Sequence, residues 1–197
     1  MTGVDIDPQL LAAAADLSAH IWPPVEFRLG DAEKLQFDDG AFDGVISTFG
    51  VMFAANQAEA AAELARVCRS GGRRSWQHGR RMGLWQNFSG SNAHSDAPPP
   101  RSSPLAWGNP PYVKQLLGDS FELEFEHGVS NTYHGGVEDI WQLDTRAFGP
   151  LRQLVESLPP DRVQQLKRDV DAYHRHYAVP AGLHVRRECL ITLGRRR

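Results

Sequence analysis

FRLGDAEKLQFDDGAFDGVISTFGVMFAANQAEAAAELARVCRSGG, Phe27 to Gly72, is the stretch whose reading decides the fold. Val25, Phe27 and Leu29 alternate with Glu26 and Arg28, the period of a strand with one wetter face. That run closes on Gly30-Asp31, and Asp38-Asp39-Gly40 makes a turn. Phe42 to Phe49 is apolar and β-branched enough for a strand covered on both faces, and it opens at Gly50 into a loop. Gln57 to Arg69 reads as a helix with an apolar stripe of Ala58, Ala61, Ala62, Leu64, Ala65 and Cys68. Asn56 suits its N-cap, Glu59 completes a capping box, and Gly71-Gly72 supplies the stop. Strand, acidic loop, strand, loop and helix in this order make half of an open α/β sheet.

Upstream, Thr2 to Asp5 is a brief β-like run. Asp7 is placed to cap a helix whose first turn holds Pro8 and which continues to about Ser18. Pro23-Pro24 forbids its continuation. Downstream, the composition changes. Arg73 to Arg81 falls where a central strand is expected and is too charged to be buried on both faces. The span 74–104 therefore reads as irregular, with Pro98-Pro99-Pro100 in a Ser- and Asn-rich loop. Order returns with helices expected at Pro111–Leu117, Val137–Phe148, Leu151–Leu158 and Asp161–Tyr173. Strands are expected at Phe121–Phe125, with Val129–Tyr133 extending it or pairing with it, and at Arg186–Leu193, followed by a solvated Arg195-Arg196-Arg197 tail.

At 197 residues the chain fits one domain with a core of its own. A net charge of -3 gives no electrostatic case for a nucleic-acid partner. No apolar run is long enough for a membrane span. The acidic, polar N-terminus is not a signal peptide, and the lone cysteines Cys68 and Cys189 read as buried and reduced, which points to the cytoplasm. The His174 and His176 pair within Tyr173–Tyr177 lacks the carboxylate or thiol ligands a metal site needs.

In an open α/β sheet, ligands bind beyond the carboxyl ends of the strands. Asp5, Asp31 and Thr48-Phe49-Gly50 mark three such ends. A carboxylate held there can accept from a ribose diol, and a backbone N–H beside it can meet the edge of a base. Each acid alone fits a helix cap or a turn better than a ligand site.

Together, Thr2–Pro8, Gly30–Phe37, Phe42-Asp43 and Arg66–Arg73 resemble the class I S-adenosylmethionine-dependent methyltransferases, closest to the small-molecule branch of ubiquinone and menaquinone biosynthesis. The resemblance implies a Rossmann-like α/β sheet with helices on both faces, made incomplete by the lack of the family's first strand and glycine-rich loop. The implied layout is one domain over 1–197: a cofactor-side half at 1–73, the irregular span 74–104, and a substrate-side region with the last strands at 105–197. S-adenosylmethionine is the implied cofactor, with Asp5 and neighbouring Ile6 at the ribose, Asp31 and Ala32 at adenine, and Phe49 and Gly50 lining the crevice. The implied activity is methyl transfer to a small-molecule acceptor, impaired by truncation. A shifted reading frame or a diverged insert would explain the break after Arg73. His127, Tyr133, His134, His174 and His176 are the residues from which an optional base would come. The alternative is a non-catalytic binding or partner-interaction module, in which a complementary chain or a homodimer partner covers the exposed sheet edge. A nicotinamide oxidoreductase is disfavoured, because no glycine-rich fingerprint precedes Asp5.

Overall fold

The computed structural model describes residues 1–71 and 102–197 in full and 73–79 through the backbone. Its elements are β1 (Thr2–Asp5), α1 (Pro8–Ser18), β2 (Glu26–Leu29), β3 (Ile46–Thr48), α2 (Gln57–Arg66), β4 (Arg73–Gly79), α3 (Pro110–Leu117), β5 (Phe121–His134), α4 (Val137–Ala147), α5 (Gly149–Ser157), α6 (Pro160–His174), β6 (Ala178–Val179) and β7 (Gly182–Arg196). Single 3-10 turns lie at Val51–Phe53, Pro104–Gly108 and Arg175–Tyr177. β1 and β2 form a parallel pair, and a second sheet runs β3-β4-β7-β5 with β6 hydrogen-bonded to β7.

The chain divides into two compact units. Of the described residues, the first unit takes 1–78, 102–127 and 190–197, and the second takes 128–189.

In the first unit, β1 and β2 pair in register from Thr2↔Glu26 to Asp5↔Leu29. The connecting helix α1 starts as its sequence dictates: Asp7 accepts from the Gln9 backbone N–H at 2.9 Å and Pro8 occupies the first turn. Yet α1 buries none of its residues. The packed part of the unit lies elsewhere. Met52, Leu64, Trp107, Val113 and Leu117 are fully or almost fully buried where α2, α3 and two 3-10 turns meet. A leucine buried this completely stabilises a fold by about 1.5–3 kcal/mol.

The second unit has two apolar clusters. Leu151, Leu166 and Val170 pack with Trp141, Phe148 and Tyr173. Ile140, Leu183 and Val185 pack with Val137 and Tyr177. Lys167 ties α6 to α4 by an ion pair with Glu138 at 2.7 Å and lies over the Trp141 ring.

Several expectations need correction. β3 is three residues long and Ile46 is 75% exposed, so the run Phe42–Phe49 is not covered on both faces. Among the described residues β3 pairs only with β4, and one open edge leaves its side chains uncovered. Arg73–Gly79 does form a strand, paired in parallel with β3 from Ile46↔Ser75 to Thr48↔Gln77, so the irregular span cannot begin at 74. Backbone pairing with a neighbour overrides a sequence poor in strand formers. The remainder of the expected loop, 80–101, lies outside the described residues. Arg196 is no solvated tail residue: it belongs to β7, donates to the Ala65 and Ser120 carbonyls at 3.0 Å each, and covers the Phe121 ring.

Candidate functional site

Parallel pairing fixes where the acidic residues fall. Asp5 ends β1 and faces Leu29 across the ladder, so Asp31, two residues further on, emerges at the same carboxyl edge. The Gly30 N–H donates to the Asp5 carbonyl at 3.0 Å and extends the pairing to the turn. Asp5 is half-buried and its carboxylate accepts from the Asp7 N–H at 2.9 Å. Asp31 is exposed and accepts from the Glu33 N–H at 2.9 Å, an Asx turn that sharpens the chain reversal after β2. Each carboxylate keeps its second oxygen for other partners. Ala32 is half-buried at the tip of that turn, while Ile6, after β1, is 70% exposed. Four of the six expected residues, Asp5, Ile6, Asp31 and Ala32, therefore gather at one strand-end edge.

Phe49 and Gly50 lie at the carboxyl end of β3, in the other sheet. Phe49 has φ 58°, the left-handed region that a bulky side chain adopts at a cost of about 1–2 kcal/mol. The strain turns the chain from β3 into the 3-10 turn Val51–Phe53, whose first N–H donates to Ser47 Oγ at 3.2 Å. Strain of this kind concentrates at ligand clamps.

Two polar assemblies hold these strand ends to α2. Glu33 accepts from the Asn56 N–H at 2.8 Å, at the N-terminus of α2. Glu63 accepts from the Leu35 N–H at 2.7 Å and from Arg66 at 2.6 and 2.8 Å. Arg66 also donates to Asp39 and to the Phe37 and Leu35 carbonyls. Arg66 beside it holds the Glu63 carboxyl below the usual range, and the two carboxylates raise the Arg66 value.

The second assembly is centred on Gln57, which is almost fully buried. Its amide donates to the Met52 carbonyl at 2.9 Å and accepts from the Tyr112 hydroxyl at 2.8 Å. It fixes the turn after β3 against α2 and α3. Sequence reasoning missed Gln57 because a glutamine at the first position of a helix carries no signal of burial. Among the described residues no cluster of histidine, cysteine or carboxylate side chains could hold a metal. No helix of the described residues is long and apolar enough to cross a membrane.

Comparison with known proteins bears on this arrangement. Residues 1–74 match the family model described as methyltransferase domain. A protein of Mycobacterium tuberculosis without an assigned activity is 36% identical over 121 residues, 60% of this chain and 44% of that protein. The match thus spans less than half the length of that relative. The demethylmenaquinone methyltransferase of Chlorobaculum tepidum is 39% identical over 72 residues, 36% of this chain and 28% of that one. Among solved structures, the YcgJ protein of Bacillus subtilis superposes with a TM-score of 0.60 at 17% identity, covering the whole of this chain and 82% of that one. A SAM-dependent methyltransferase of Thermotoga maritima gives 0.52 at 14% identity, covering the whole of this chain and 72% of that one. The fold is the α/β fold of these structures, and over residues 1–74 the sequence is similar to methyltransferase domains.

Proposed function

We propose that the chain binds S-adenosylmethionine at the strand-end edge of β1 and β2 and takes part in methyl transfer to a small-molecule acceptor. The observation that carries this reading is the register Asp5↔Leu29, which brings Asp5 and, two residues past Leu29, Asp31 to the carboxyl ends of adjacent parallel strands. Asp5 accepts from the ribose hydroxyls, with Ile6 beside it. Asp31 accepts from the adenine amino group, the Ala32 N–H meets the ring edge, and Phe49 and Gly50 wall the crevice. The demethylmenaquinone methyltransferase match favours an acceptor of the quinone-precursor kind. The free, buried cysteines Cys68 and Cys189 favour a reducing, cytoplasmic setting.

Methyl transfer is an in-line displacement at a charged sulfonium, so orientation and exclusion of water carry most of the rate. The protein's contribution is to hold the adenosine end fixed, which the carboxylate pair and the Arg66 and Gln57 assemblies accomplish.

A second reading is a non-catalytic binding module that acts as a homodimer. It is favoured by the exposure of Trp22, Leu17, Ile46 and Leu29 around β1, β2 and β3. Calorimetric titration with S-adenosylhomocysteine separates the two. Micromolar binding supports the cofactor site, and no heat at millimolar ligand removes it. Light scattering across a hundredfold dilution reads the dimer, and a monomer throughout rejects it.

A further inference from the structure

We propose that the second unit binds a neutral phenolic hydroxyl, which donates its hydrogen bond to Nε2 of His174 within a nest that includes Asp144, Arg187 and the Tyr173–Tyr177 pair. His174, near the end of α6, is 0% exposed. Its Nδ1 lies 2.9 Å from the Val170 carbonyl. A carbonyl only accepts, so Nδ1 carries the proton and the neutral ring presents a bare lone pair at Nε2. That nitrogen is buried with no hydrogen-bond partner, and so is Oδ2 of Asp144 on α4. Two buried acceptors without donors are rare in a folded protein and mark a place for a donor from outside.

The surroundings select the donor. Arg187 on β7 and His134 on β5 act electrostatically on both Asp144 and His174, and His176 acts on His174 as well. Three cationic or potentially cationic groups against one carboxylate disfavour an ammonium ligand. A bare Nε2 lone pair disfavours an anion. A neutral O–H remains. Aromatic rings flank the position: Tyr173 meets His174 edge-on at 5.0 Å between centroids and Tyr177 at 5.6 Å, and the Tyr173 and Tyr177 hydroxyls are 2.8 Å apart. Rings prefer such edge and offset contacts with a further planar ring, which points to a phenol over an aliphatic alcohol. The 3-10 turn Arg175–Tyr177, with His176 exposed, follows directly on His174.

The site lies within the second unit, and its argument stands apart from the proposed methyl transfer. The test is 15N NMR of the histidine side chains of the intact chain, titrated with phenol and, separately, with anisole, which keeps the ring and lacks the donor. Phenol is expected to shift the His174 Nε2 resonance from its unbonded position and anisole to leave it unmoved. An Nε2 that is protonated, that is already bonded to a buried water phenol does not displace, or that responds equally to anisole overturns the proposal. Adenosylhomocysteine calorimetry on the same sample reads the cofactor site separately, so failure of either reading is seen by itself.

Discussion

Gln57→Leu tests the mechanical basis of the crevice. Leucine keeps nearly the same volume at a position that is almost fully buried, so packing is preserved while the polar strut is removed. The Met52 carbonyl loses its 2.9 Å donor and the Tyr112 hydroxyl its 2.8 Å acceptor. Leaving one buried group unsatisfied costs about 1–3 kcal/mol. Tyr112 is only half-buried and recovers part of its bond from water. Greater burial of the leucine offsets about 1 kcal/mol. The net expectation is about 1–3 kcal/mol of destabilisation. Tyr112→Phe alone removes one bond at about 0.5–1.5 kcal/mol, and the double variant falls short of the sum by about the same amount, because the shared bond is lost only once. Urea unfolding followed by tryptophan fluorescence measures this, with buried Trp107 reporting on the first unit. Strict additivity, or a Gln57→Leu protein as stable as wild type, would refute the strut.

Two further predictions concern strain and pH. Phe49→Gly relieves the positive φ and changes stability by no more than about 1 kcal/mol in unfolding experiments, since lost contacts offset the relief. The same variant weakens adenosylhomocysteine binding, and unchanged affinity would remove Phe49 from the crevice wall. Burial pushes the His174 imidazole below its ordinary value of 6.5, with Arg187, His134 and His176 acting in the same direction. A lowered folded-state value stabilises the neutral form, so this contribution is fully present above about pH 6.5 and is lost as pH falls through the folded value. Burial pushes Asp144 the other way, above the usual carboxylate range. Its share is present at low pH and is lost as pH rises through that raised value. Stability of wild type measured from pH 8 to pH 5 should fall, and His174→Gln should flatten that fall; an unchanged slope contradicts the burial argument.

Local signals in the sequence survive folding wherever they act over a few residues. Asp7 and Asn56 cap their helices as their types and spacing dictate, the latter by accepting from the Glu59 N–H. Gly71 takes the left-handed backbone at φ 78°, but α2 already ends at Arg66 and not at the expected Arg69, so Gly71 is not its stop. Leu166 and Val170 turn inward on α6 as the amphipathic period requires. Failures occurred where the answer depends on distant chain. Phe42–Phe49 reads as a buried strand by composition, but burial needs a neighbour on each edge, and Ile46 has none on one side among the described residues. Arg73–Gly79 reads as irregular, and pairing with β3 makes it a strand. At the candidate site, the strand-end acids were legible because parallel topology places them. Gln57 was not, and in the second unit neither was Asp144 nor Arg187, since nothing local distinguishes a buried polar side chain from an exposed one.

The central claim is that Asp5 and Asp31 together form the adenosine edge of a cofactor site. Calorimetry of S-adenosylhomocysteine with wild type, Asp5→Ala and Asp31→Ala tests it directly. Each substitution removes a hydrogen bond to a charged group, about 1.5–3 kcal/mol, and should weaken binding about 10- to 150-fold while leaving the unfolding transition of α2 and α3 in place. Binding that is indifferent to both substitutions, or absent from the wild type at millimolar ligand, would contradict the account.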